Sequence, residues 1–402
     1  MIVIKDKKDC CGCWACENVC PKQCIQMTED DEGFRYPIVD TDTCINCGLC
    51  EKTCPIVQKK EIKPFPQHAY VVQNKDEIVL RESTSGGFFS AIALWVLRQG
   101  GVVFGCHLNT DFEAVHTFVE KYEEVKQFRN SKYVQSLIGH AYGDAKSLLE
   151  EGRLVLFSGT PCQVEGILHY LRKPYDNLYT VDVVCRAVPS PMVLRRYLEM
   201  KNKGKSTLID VKFRDKYHGY KYSTMSLLCQ NGEEYHEGID TDVYLRSFFS
   251  GVNIRPSCTV CKFRSRYRLS DFTIWDCYNI SKFSKEMDND KGATRVLCHS
   301  ERANEIIQNL ETLCICKVDS DFAVSGVKEM ETGPHFHQLR DAFFAAMNKE
   351  SLSTEEVFVK FFPITTRHRL EKIARIWSNR LGIYPMMKRM FKLIVGNRDI
   401  KR

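Results

Sequence analysis

Two cysteine runs near the start of the chain share one spacing, and no other feature restricts the fold as strongly. CCGCWACENVCP has the pattern C-x2-C-x2-C-x3-C-P, and CINCGLCEKTCP repeats it. In such a run three thiolates wrap one loop around a four-iron cluster, while the fourth, ahead of proline, reaches the other cluster. The spacing therefore predicts two 4Fe-4S clusters. The predicted ligands of the first are Cys10, Cys13, Cys16 and Cys54, and those of the second are Cys44, Cys47, Cys50 and Cys20.

The alternative for this module is a zinc site. Zinc sites usually separate two C-x2-C pairs by a longer gap, and two four-cysteine runs that end in proline disfavour that interpretation. Residues 1–57 resemble the bacterial two-cluster ferredoxins, which implies one-electron transfer at low potential. Cys11 and Cys24 fall outside the pattern, so neither is predicted to be a ligand.

The cysteine content also bears on the location of the protein. The 402 residues, enough for two or three domains, include 20 cysteines, ten of them within the first 54 residues. The start, MIVIKDKKDCC, lacks the apolar core of a signal peptide, and the longest apolar run, FFSAIALWVL, is too short to span a bilayer. We therefore expect a cytoplasmic protein whose thiols serve as metal ligands or catalysts rather than disulfides.

Strand-like and helix-like runs alternate after a polar link at 58–67. Examples are RLVLF followed by QVEGILHYLRK, and YTVDVVC followed by SPMVLRRYLEMKNK. This alternation predicts an α/β domain over 68–320, and STMSLLCQNGEEYHEG, with Asn231-Gly232 at its turn, predicts a hairpin. Residues 321–402 are expected to form a helical extension with a basic tail.

A second group of cysteines lies at predicted turns and element ends. Cys162 begins a helix directly after a strand, Cys185 ends the next strand, and Cys258 and Cys261 form one C-x2-C pair. Strand ends of an α/β sheet gather at one edge, so the four thiols could hold a third 4Fe-4S cluster or a zinc ion. A nucleophilic Cys162 at a helix N-terminus and a structural thiol remain open alternatives. Five further cysteines lie within apolar runs and are interpreted as small buried side chains: Cys106, Cys229, Cys298, Cys314 and Cys316.

Several further stretches, in order, resemble the beta subunit of coenzyme F420-reducing hydrogenases and dehydrogenases over roughly residues 1–320. They are STSGGFFSA, FRNSKYVQS, LFSGTPCQVEG, VDVVC, VPSP, FRDK, RPSCTVCKFR and RLSDFTIWD. The resemblance implies a non-Rossmann α/β flavoprotein that binds FAD beside a cluster held by Cys162, Cys185, Cys258 and Cys261. It also implies a deazaflavin or other small organic substrate, such as coenzyme F420. Some relatives are encoded near polysaccharide genes, which suggests polysaccharide biosynthesis.

The resemblance also implies a set of flavin-binding residues. The Ser85-Gly86-Gly87 turn precedes a helix, where backbone N–H groups can approach a phosphate. A helix-entry turn without a ligand is the simpler alternative for this turn, and a surface charge patch is the alternative for the segment around Arg129. The residues implied are Ser83, Ser85, Gly86, Gly87, Arg129, Ser131, Lys132, Tyr133, Ser158, Gly159 and Thr160.

The chain departs from the family pattern at three positions. Cys185-Arg186-Ala187 replaces Cys-His-Gly, Trp275-Asp276-Cys277 replaces part of a GDFWG-like stretch, and Gly219-Tyr220 replaces Gly-Trp. Loss of the histidine removes a proton donor, whereas Arg186 favours an anionic substrate or a reduced, anionic flavin. Arg186 and Asp276 are therefore the candidate catalytic residues, and Cys277 is a weaker candidate for a replacement ligand.

The formal net charge of +6 comes from the C-terminus. Residues 367–402 contain eleven Lys or Arg and two acidic residues, so this tail carries +9 and the rest of the chain −3. Apolar residues interleave the basic ones over 367–395, which predicts amphipathic helices broken near Pro385. These helices would lie on an anionic membrane at the inner face, or pack on the protein with a solvated basic face. No nucleic-acid reader motif is present, and nucleic acid is not an expected partner.

The leading hypothesis from the sequence is an iron–sulfur flavoprotein oxidoreductase. Electrons from a ferredoxin-like donor would pass through the clusters to FAD and on to an organic or deazaflavin substrate, or in the opposite direction. The second hypothesis is an electron-transfer subunit that serves a partner enzyme and has no substrate site. A third, non-redox hypothesis is a cluster-bearing scaffold that has lost its flavin.

Overall fold

The computed structural model describes residues 1–383, which fall into two compact units. The first unit consists of Met1–Met192 and Ile254–His335. The second consists of Val193–Asn253 and Phe336–Arg402, of which the residues up to 383 are described. The second unit therefore interrupts the first in sequence. The predicted boundaries at residues 57, 67 and 320 stay predictions.

The described residues form thirteen strands and thirteen α-helices. The strands are β1 (Ile25–Glu29), β2 (Arg35–Val39), β3 (His68–Asn74), β4 (Val102–Leu108), β5 (Ala114–Val119), β6 (Val155–Gly159), β7 (Leu178–Val183), β8 (Leu208–Asp215), β9 (Thr224–Cys229), β10 (Glu234–Gly238), β11 (Phe272–Asp276), β12 (Thr294–Cys298) and β13 (Leu313–Val318). The helices are α1 (Ala15–Asn18), α2 (Leu49–Thr53), α3 (Glu77–Glu82), α4 (Phe88–Leu97), α5 (Ala141–Glu150), α6 (Pro161–Leu171), α7 (Pro191–Asn202), α8 (Val243–Ser250), α9 (Glu301–Gln308), α10 (Ser320–Val324), α11 (Arg340–Met347), α12 (Thr354–Phe361) and α13 (Thr366–Arg380).

An eight-stranded mixed sheet forms the centre of the first unit. Its strand order is β13-β3-β12-β11-β7-β6-β4-β5. β4, β6, β7 and β11 pair in parallel, and β3 runs in the same direction because β12 is antiparallel to both β11 and β3. The carboxyl ends of these five strands therefore lie at one edge of the sheet. The predicted α/β class is confirmed in this form, as a mixed α/β fold.

Successive side chains of β6 pack into two apolar layers, one on each face of the sheet. Val155 and Phe157 pack with helices α5 and α6, while Leu156 packs with α4 and α9 on the other face. All three side chains are fully buried, as the two-residue period of a strand between two layers requires. Ala15 of α1 belongs to the same layer as α5 and α6. The cysteine module therefore packs on one face of the large sheet.

The second unit is built on a smaller antiparallel sheet of order β10-β9-β8. The predicted hairpin is present as β9 and β10, with Asn231-Gly232 between them. Asp242 precedes α8, is fully buried, and accepts hydrogen bonds from the Leu245 N–H at 2.8 Å and the Tyr197 hydroxyl at 2.6 Å. This carboxylate ties the start of α8 to α7.

Residues 321–383 contain helices and no strand within the described part of the chain, and the helical extension with its basic tail stays a prediction. Within residues 1–383, no helix has the length and apolar character needed to cross a membrane. The predicted helix break near Pro385 lies outside the described residues.

Gly86 is held too tightly against the large sheet to carry a side chain. Its N–H donates to the Thr294 hydroxyl at 2.8 Å, and a Cβ at this position would lie 2.5 Å from the Thr294 backbone nitrogen and against the Val72 carbonyl. We expect Gly86→Ala to lower the free energy of unfolding by about 3 kcal/mol, because backbone cannot yield as a flexible side chain does. Anaerobic urea unfolding followed by circular dichroism measures this change.

Gly143 in α5 is the matched control. An added Cβ there would meet only the Tyr170 hydroxyl, 3.9 Å away. Gly143→Ala should therefore stabilise the protein by about 0.5–1 kcal/mol through helix propensity. Equal effects of the two substitutions would contradict the packing described for Gly86.

Candidate iron–sulfur and flavin site

The predicted site residues follow the parallel strands where these end at one edge of the sheet. Gly159 ends β6 and leads into Cys162, Cys185 follows β7, and Asp276 ends β11. Ser85-Gly86-Gly87 follows β3 after the short helix α3. Sites of α/β proteins form at such an edge because side chains from several loops converge there.

Cys162 is fixed by the start of helix α6. Pro161 occupies the first helical position, where a missing N–H costs nothing. The Gln163 side-chain oxygen turns back to accept a hydrogen bond from the Thr160 N–H at 2.9 Å. The Thr160 hydroxyl lies 3.2 Å from the Cys162 sulfur. The SGTPC turn therefore holds this thiol at a defined place after β6.

A cavity of about 320 Å³ brings the second group of cysteines together. The cysteines that line it are Cys11, Cys162, Cys185, Cys258 and Cys261. Within residues 1–383, no three His, Cys, Asp or Glu side chains are arranged to hold a metal ion. The thiols instead line the wall of a space, and a set of four thiolates is the donor set of a 4Fe-4S cluster. The residues present thus fit such a cluster in the chemistry of their donors, and the third cluster stays a prediction.

The thiols around this cavity are held in their neutral form. Burial raises the pKa of Cys185 and Cys261, and raises the pKa of Cys258 to about 12. A hydrogen bond with Cys11, followed by burial, raises the pKa of Cys162. A nucleophilic cysteine needs the opposite shift, because the thiolate is the reactive form. Metal binding would displace these protons.

The ligands predicted for the second N-terminal cluster lie around one small hollow. Its volume is about 20 Å³, and Cys20, Cys44, Cys47 and Cys50 are among the residues that line it. Cys24 lines it as well, with its sulfur 3.3 Å from that of Cys20. Cys47 is exposed to solvent. This hollow is therefore the more accessible of the two N-terminal thiol groups.

The ligands predicted for the first N-terminal cluster lie deeper. Cys16 interacts electrostatically with Cys10 and Cys54, and Cys13 interacts with Cys54 and Cys16. Cys10 and Cys13 are buried. The spacing predicts that Cys54, although it belongs to the second run, is a ligand of the first cluster. The proximity of these side chains is compatible with that prediction.

Cys11 joins this first group to the large cavity. Its thiol interacts electrostatically with Cys13, and Cys11 lines the large cavity together with Cys162. At Gly166 of α6, an added Cβ would lie 3.1 Å from the Cys13 Cβ, so the loop and helix touch without an intervening side chain. Sequence reasoning set Cys11 aside because it falls outside the repeated spacing, and no local signal marks its position.

The residues implied for flavin phosphates are engaged with protein groups. The Ser85 hydroxyl lies 2.8 Å from that of Thr294, and the Ser83 hydroxyl donates to the Val79 carbonyl at 2.6 Å. Gly86 and Gly87 start α4 against β3 and β12. These contacts favour the helix-entry alternative for the turn itself, and the flavin assignment stays a prediction.

The Arg129 segment lies beside this turn. The Arg129 guanidinium contacts the Glu82 carboxylate at 2.6 Å, and the Thr84 hydroxyl lies 3.0 Å from that of Ser131. The Lys132 ammonium donates to the Gln127 and Arg129 carbonyls at 2.9 and 2.7 Å. Tyr133 interacts electrostatically with Arg186. The segment thus lies near both the turn and Arg186.

The remaining residues predicted for flavin or catalysis line the strand ends. The Ser158 hydroxyl donates to the Phe104 carbonyl at 2.9 Å, next to Gly159 and Thr160. Arg186 is partly exposed, and its guanidinium lies 3.6 Å from the Glu329 carboxylate. The Asp276 carbonyl accepts from Arg295 at 3.0 Å. Cys277 is fully buried and is not among the residues that line the large cavity.

Comparisons with family models identify the domains and define an iron–sulfur protein of the oxidoreductase type. Residues 9–57 match the model of a 4Fe-4S dicluster domain. Residues 152–320 match the model for the C-terminal part of the beta subunit of coenzyme F420 hydrogenase/dehydrogenase. The chain therefore contains both domains, and the resemblance stated from its motifs is confirmed. The STSGGFFSA and FRNSKYVQS stretches precede the matched residues.

Solved structures give a distant similarity. A chain of the F420-reducing NiFe hydrogenase complex from Methanosarcina barkeri, from a xenon-derivatised structure, is 14% identical, with a TM-score of 0.43. The similarity covers 76% of this chain and 97% of that one. No protein with a curated description matches the chain.

His116 stacks on the strand that leads into Cys162. Its ring lies 5.7 Å from the Phe157 ring, and Nε2 is 3.1 Å from the Ser158 carbonyl. Burial lowers the pKa of His116 to about 4. Because the unfolded imidazole titrates near ~6.5, stability from neutral His116 is present above that pH and is lost as the pH falls towards 4.

We expect the substitution His116→Gln to remove this pH dependence of stability. Between pH 7 and 5 the wild-type protein should lose about 2 kcal/mol more unfolding free energy than His116→Gln, because only the wild type must keep a buried imidazole neutral. Urea unfolding at both pH values measures this. Parallel losses in the two proteins would contradict the assignment.

Proposed function

We propose that this protein is an iron–sulfur flavoprotein that transfers electrons between a ferredoxin-like partner and a small organic or deazaflavin substrate. The observation that carries the proposal is the large cavity, in which Cys11 of the N-terminal module lines the same space as Cys162, Cys185, Cys258 and Cys261. A 4Fe-4S cluster passes single electrons, and a flavin can take up a pair. Reduction of coenzyme F420 and a role in polysaccharide biosynthesis are the narrower forms of the proposal.

The burial of the three thiol groups suggests an order of transfer. Cys47 is exposed, Cys10 and Cys13 are buried, and Cys11, next to Cys10 in sequence, lines the large cavity with Cys162. A soluble partner would therefore exchange electrons beside Cys47, and the residues around Cys162 would stand at the other end of the path. The path is equally usable in both directions.

Arg186 supports a negatively charged substrate or a reduced flavin near the large cavity. It follows Cys185, which lines the cavity, and its carboxylate neighbour Glu329 lines it too. A guanidinium gives a fixed positive charge at any physiological pH, unlike the family's histidine. Asp276, at the same sheet edge, is proposed as the second catalytic residue.

Removal of two cavity thiols tests the third cluster. Anaerobically purified protein should contain about twelve irons per chain, and Cys162→Ala/Cys185→Ala about eight, because four thiolates hold each cluster. Cys314→Ala/Cys316→Ala, on β13 and away from the cavity, is the matched control and should keep the wild-type content. Iron, sulfide and flavin are counted per chain. About eight irons in all three proteins would remove the third cluster and return Cys162 to the nucleophile or filler interpretation.

Turnover separates the leading proposal from its alternatives. With reduced methyl viologen as donor, loss of F420 absorbance catalysed by the isolated chain would support a substrate site of its own. Electron exchange with ferredoxin without turnover would favour the electron-transfer subunit that serves a partner enzyme. Absence of flavin after anaerobic reconstitution would favour the scaffold.

We also propose peripheral contact with an anionic membrane through helix α13. Leu370, Ile373, Trp377 and Leu381 recur at helical spacing and are 52–65% exposed. On the opposite side, Ile376 is buried, and Lys372 and Arg375 pair with Glu237 and Asp240 at 2.6 and 3.0 Å. The apolar stripe therefore points away from the second unit's own residues in the described part of the chain.

The positive charge beside the apolar stripe of α13 favours binding to a lipid surface over binding to a protein. Arg369 and Arg380 flank the stripe and form no ion pair within residues 1–383, and residues 367–402 carry +9 in total. Basic side chains beside an inserted apolar face are typical of helices that lie on anionic bilayers.

Vesicle sedimentation tests this contact. The wild-type protein should bind vesicles of phosphatidylcholine with phosphatidylglycerol but not phosphatidylcholine alone. Leu370→Ser/Trp377→Ser should abolish binding, whereas Val359→Ser, an equally exposed position on α12, should not. Binding that survives the double substitution, or self-association without vesicle binding, would overturn the proposal.

A further inference from the structure

Arg255 is a fully buried cation at the junction of two thiol groups. Its Nε donates to the Cys10 carbonyl at 2.9 Å, and Nη2 donates to the Arg35 carbonyl at 3.0 Å. Nη1 donates to the Gln135 side-chain oxygen at 2.9 Å. All three acceptors are uncharged, so hydrogen bonding satisfies the guanidinium without neutralising it.

Aromatic rings and the backbone of the first cysteine loop pack closely around the guanidinium. It lies 4.2 Å from the centre of the Tyr36 ring and 5.6 Å from that of Phe34. An added Cβ at Gly12 would lie 2.9 Å from its Nη1 atom. The first cysteine loop therefore packs against this side chain at a position where only glycine fits.

The backbone of Arg255 lies beside Cys258, one of the thiols that line the large cavity. Its N–H donates to the Val188 carbonyl at 3.0 Å, and its own carbonyl accepts from the Cys258 N–H at 3.0 Å. The side chain therefore spans from the turn that carries Cys258 to the loop that carries Cys10. The groups that interact electrostatically with it are the thiols of Cys10, Cys11 and Cys258 and the Tyr36 hydroxyl.

An unneutralised buried cation is costly, because transfer from water to a low-dielectric interior removes its hydration. Thiolates bound to iron would supply compensating negative charge on both sides of Arg255. Reduction adds one electron, and so one further negative charge, to a cluster without making or breaking a bond. A fixed cation nearby stabilises that added charge, and its effect is large where the dielectric is low.

We propose that the charge of Arg255 raises the reduction potentials of the two clusters beside it. One is the cluster predicted to be held by Cys10, Cys13, Cys16 and Cys54, and the other is the cluster predicted to be held by Cys162, Cys185, Cys258 and Cys261. The inference rests on the proposed function for the presence of the third cluster. It adds a means by which one side chain shifts the potentials of two neighbouring centres in the same direction.

Redox titration followed by electron paramagnetic resonance tests this role in the iron-loaded protein. Arg255→Gln should make the affected clusters at least tenfold harder to reduce at a fixed potential, a shift of about 59 mV or more to lower values for a one-electron couple. Arg302→Gln is the control, because Arg302 pairs with Asp271 at 2.8 Å at the opposite edge of the sheet. It should leave the potentials unchanged.

Two further variants keep the test decisive if Arg255→Gln fails to fold. Gln135→Glu is isosteric and places a carboxylate against Nη1, so it should lower the potentials in the same direction. Arg255→Lys keeps the charge and should shift them much less than Arg255→Gln. Unchanged potentials in Gln135→Glu, or in fully loaded Arg255→Gln, would overturn the proposal.

The iron count separates this inference from the proposed function. About eight irons per chain would remove the third cluster, yet the Cys10 group would still report on Arg255 through its own potential. About twelve irons with unshifted potentials would leave the proposed function intact and reject the role of Arg255.

Discussion

The contact between the first cysteine loop and helix α6 is the interaction on which the whole site depends. Cys13 approaches Gly166 so closely that no side chain fits between them, and Cys11 lines the same cavity as Cys162. Asn18 adds a hydrogen bond to the Gly139 carbonyl at 2.9 Å. A ferredoxin module linked only by a flexible segment would hold its thiols at variable distances from the sheet edge. Here direct packing fixes them beside the end of β6.

The parts of the site that local rules govern could be predicted from the sequence. The repeated cysteine spacing reflects the reach of one loop around one cluster, and side chains from both runs line one hollow. Cys162 and Cys185 follow consecutive strands, and β6 and β7 prove to be adjacent and parallel. For that reason the same edge of the sheet carries both. The grouping of Cys258 and Cys261 with them was suggested by the C-x2-C spacing and then by the family resemblance, because no strand precedes that pair directly.

The parts that depend on distant pairing could not be predicted in this way. β8 follows α7 as the next strand of an α/β unit would, yet it pairs with β9 in a separate sheet. β3 precedes the rest of the domain but lies between β12 and β13. The bond from Arg255 to Cys10 spans 245 positions of sequence. Ser85 and Gly86 matched a phosphate-binding turn, whereas their observed partners are groups of Thr294 on β12. Composition carries no sign of such contacts.

Charge pairing distinguishes the arginines around the large cavity. Arg268 contacts the Asp182 carboxylate at 2.8 Å in a buried pair, so it contributes little net charge. Arg264 donates to the Glu329 and Arg186 carbonyls near the cavity mouth. Arg255 has only uncharged acceptors and lies between two sets of thiols. Because those thiols must become thiolates to bind iron, metal loading and neutralisation of Arg255 favour one another. Assembly of the clusters would thus complete the charge balance of the folded interior.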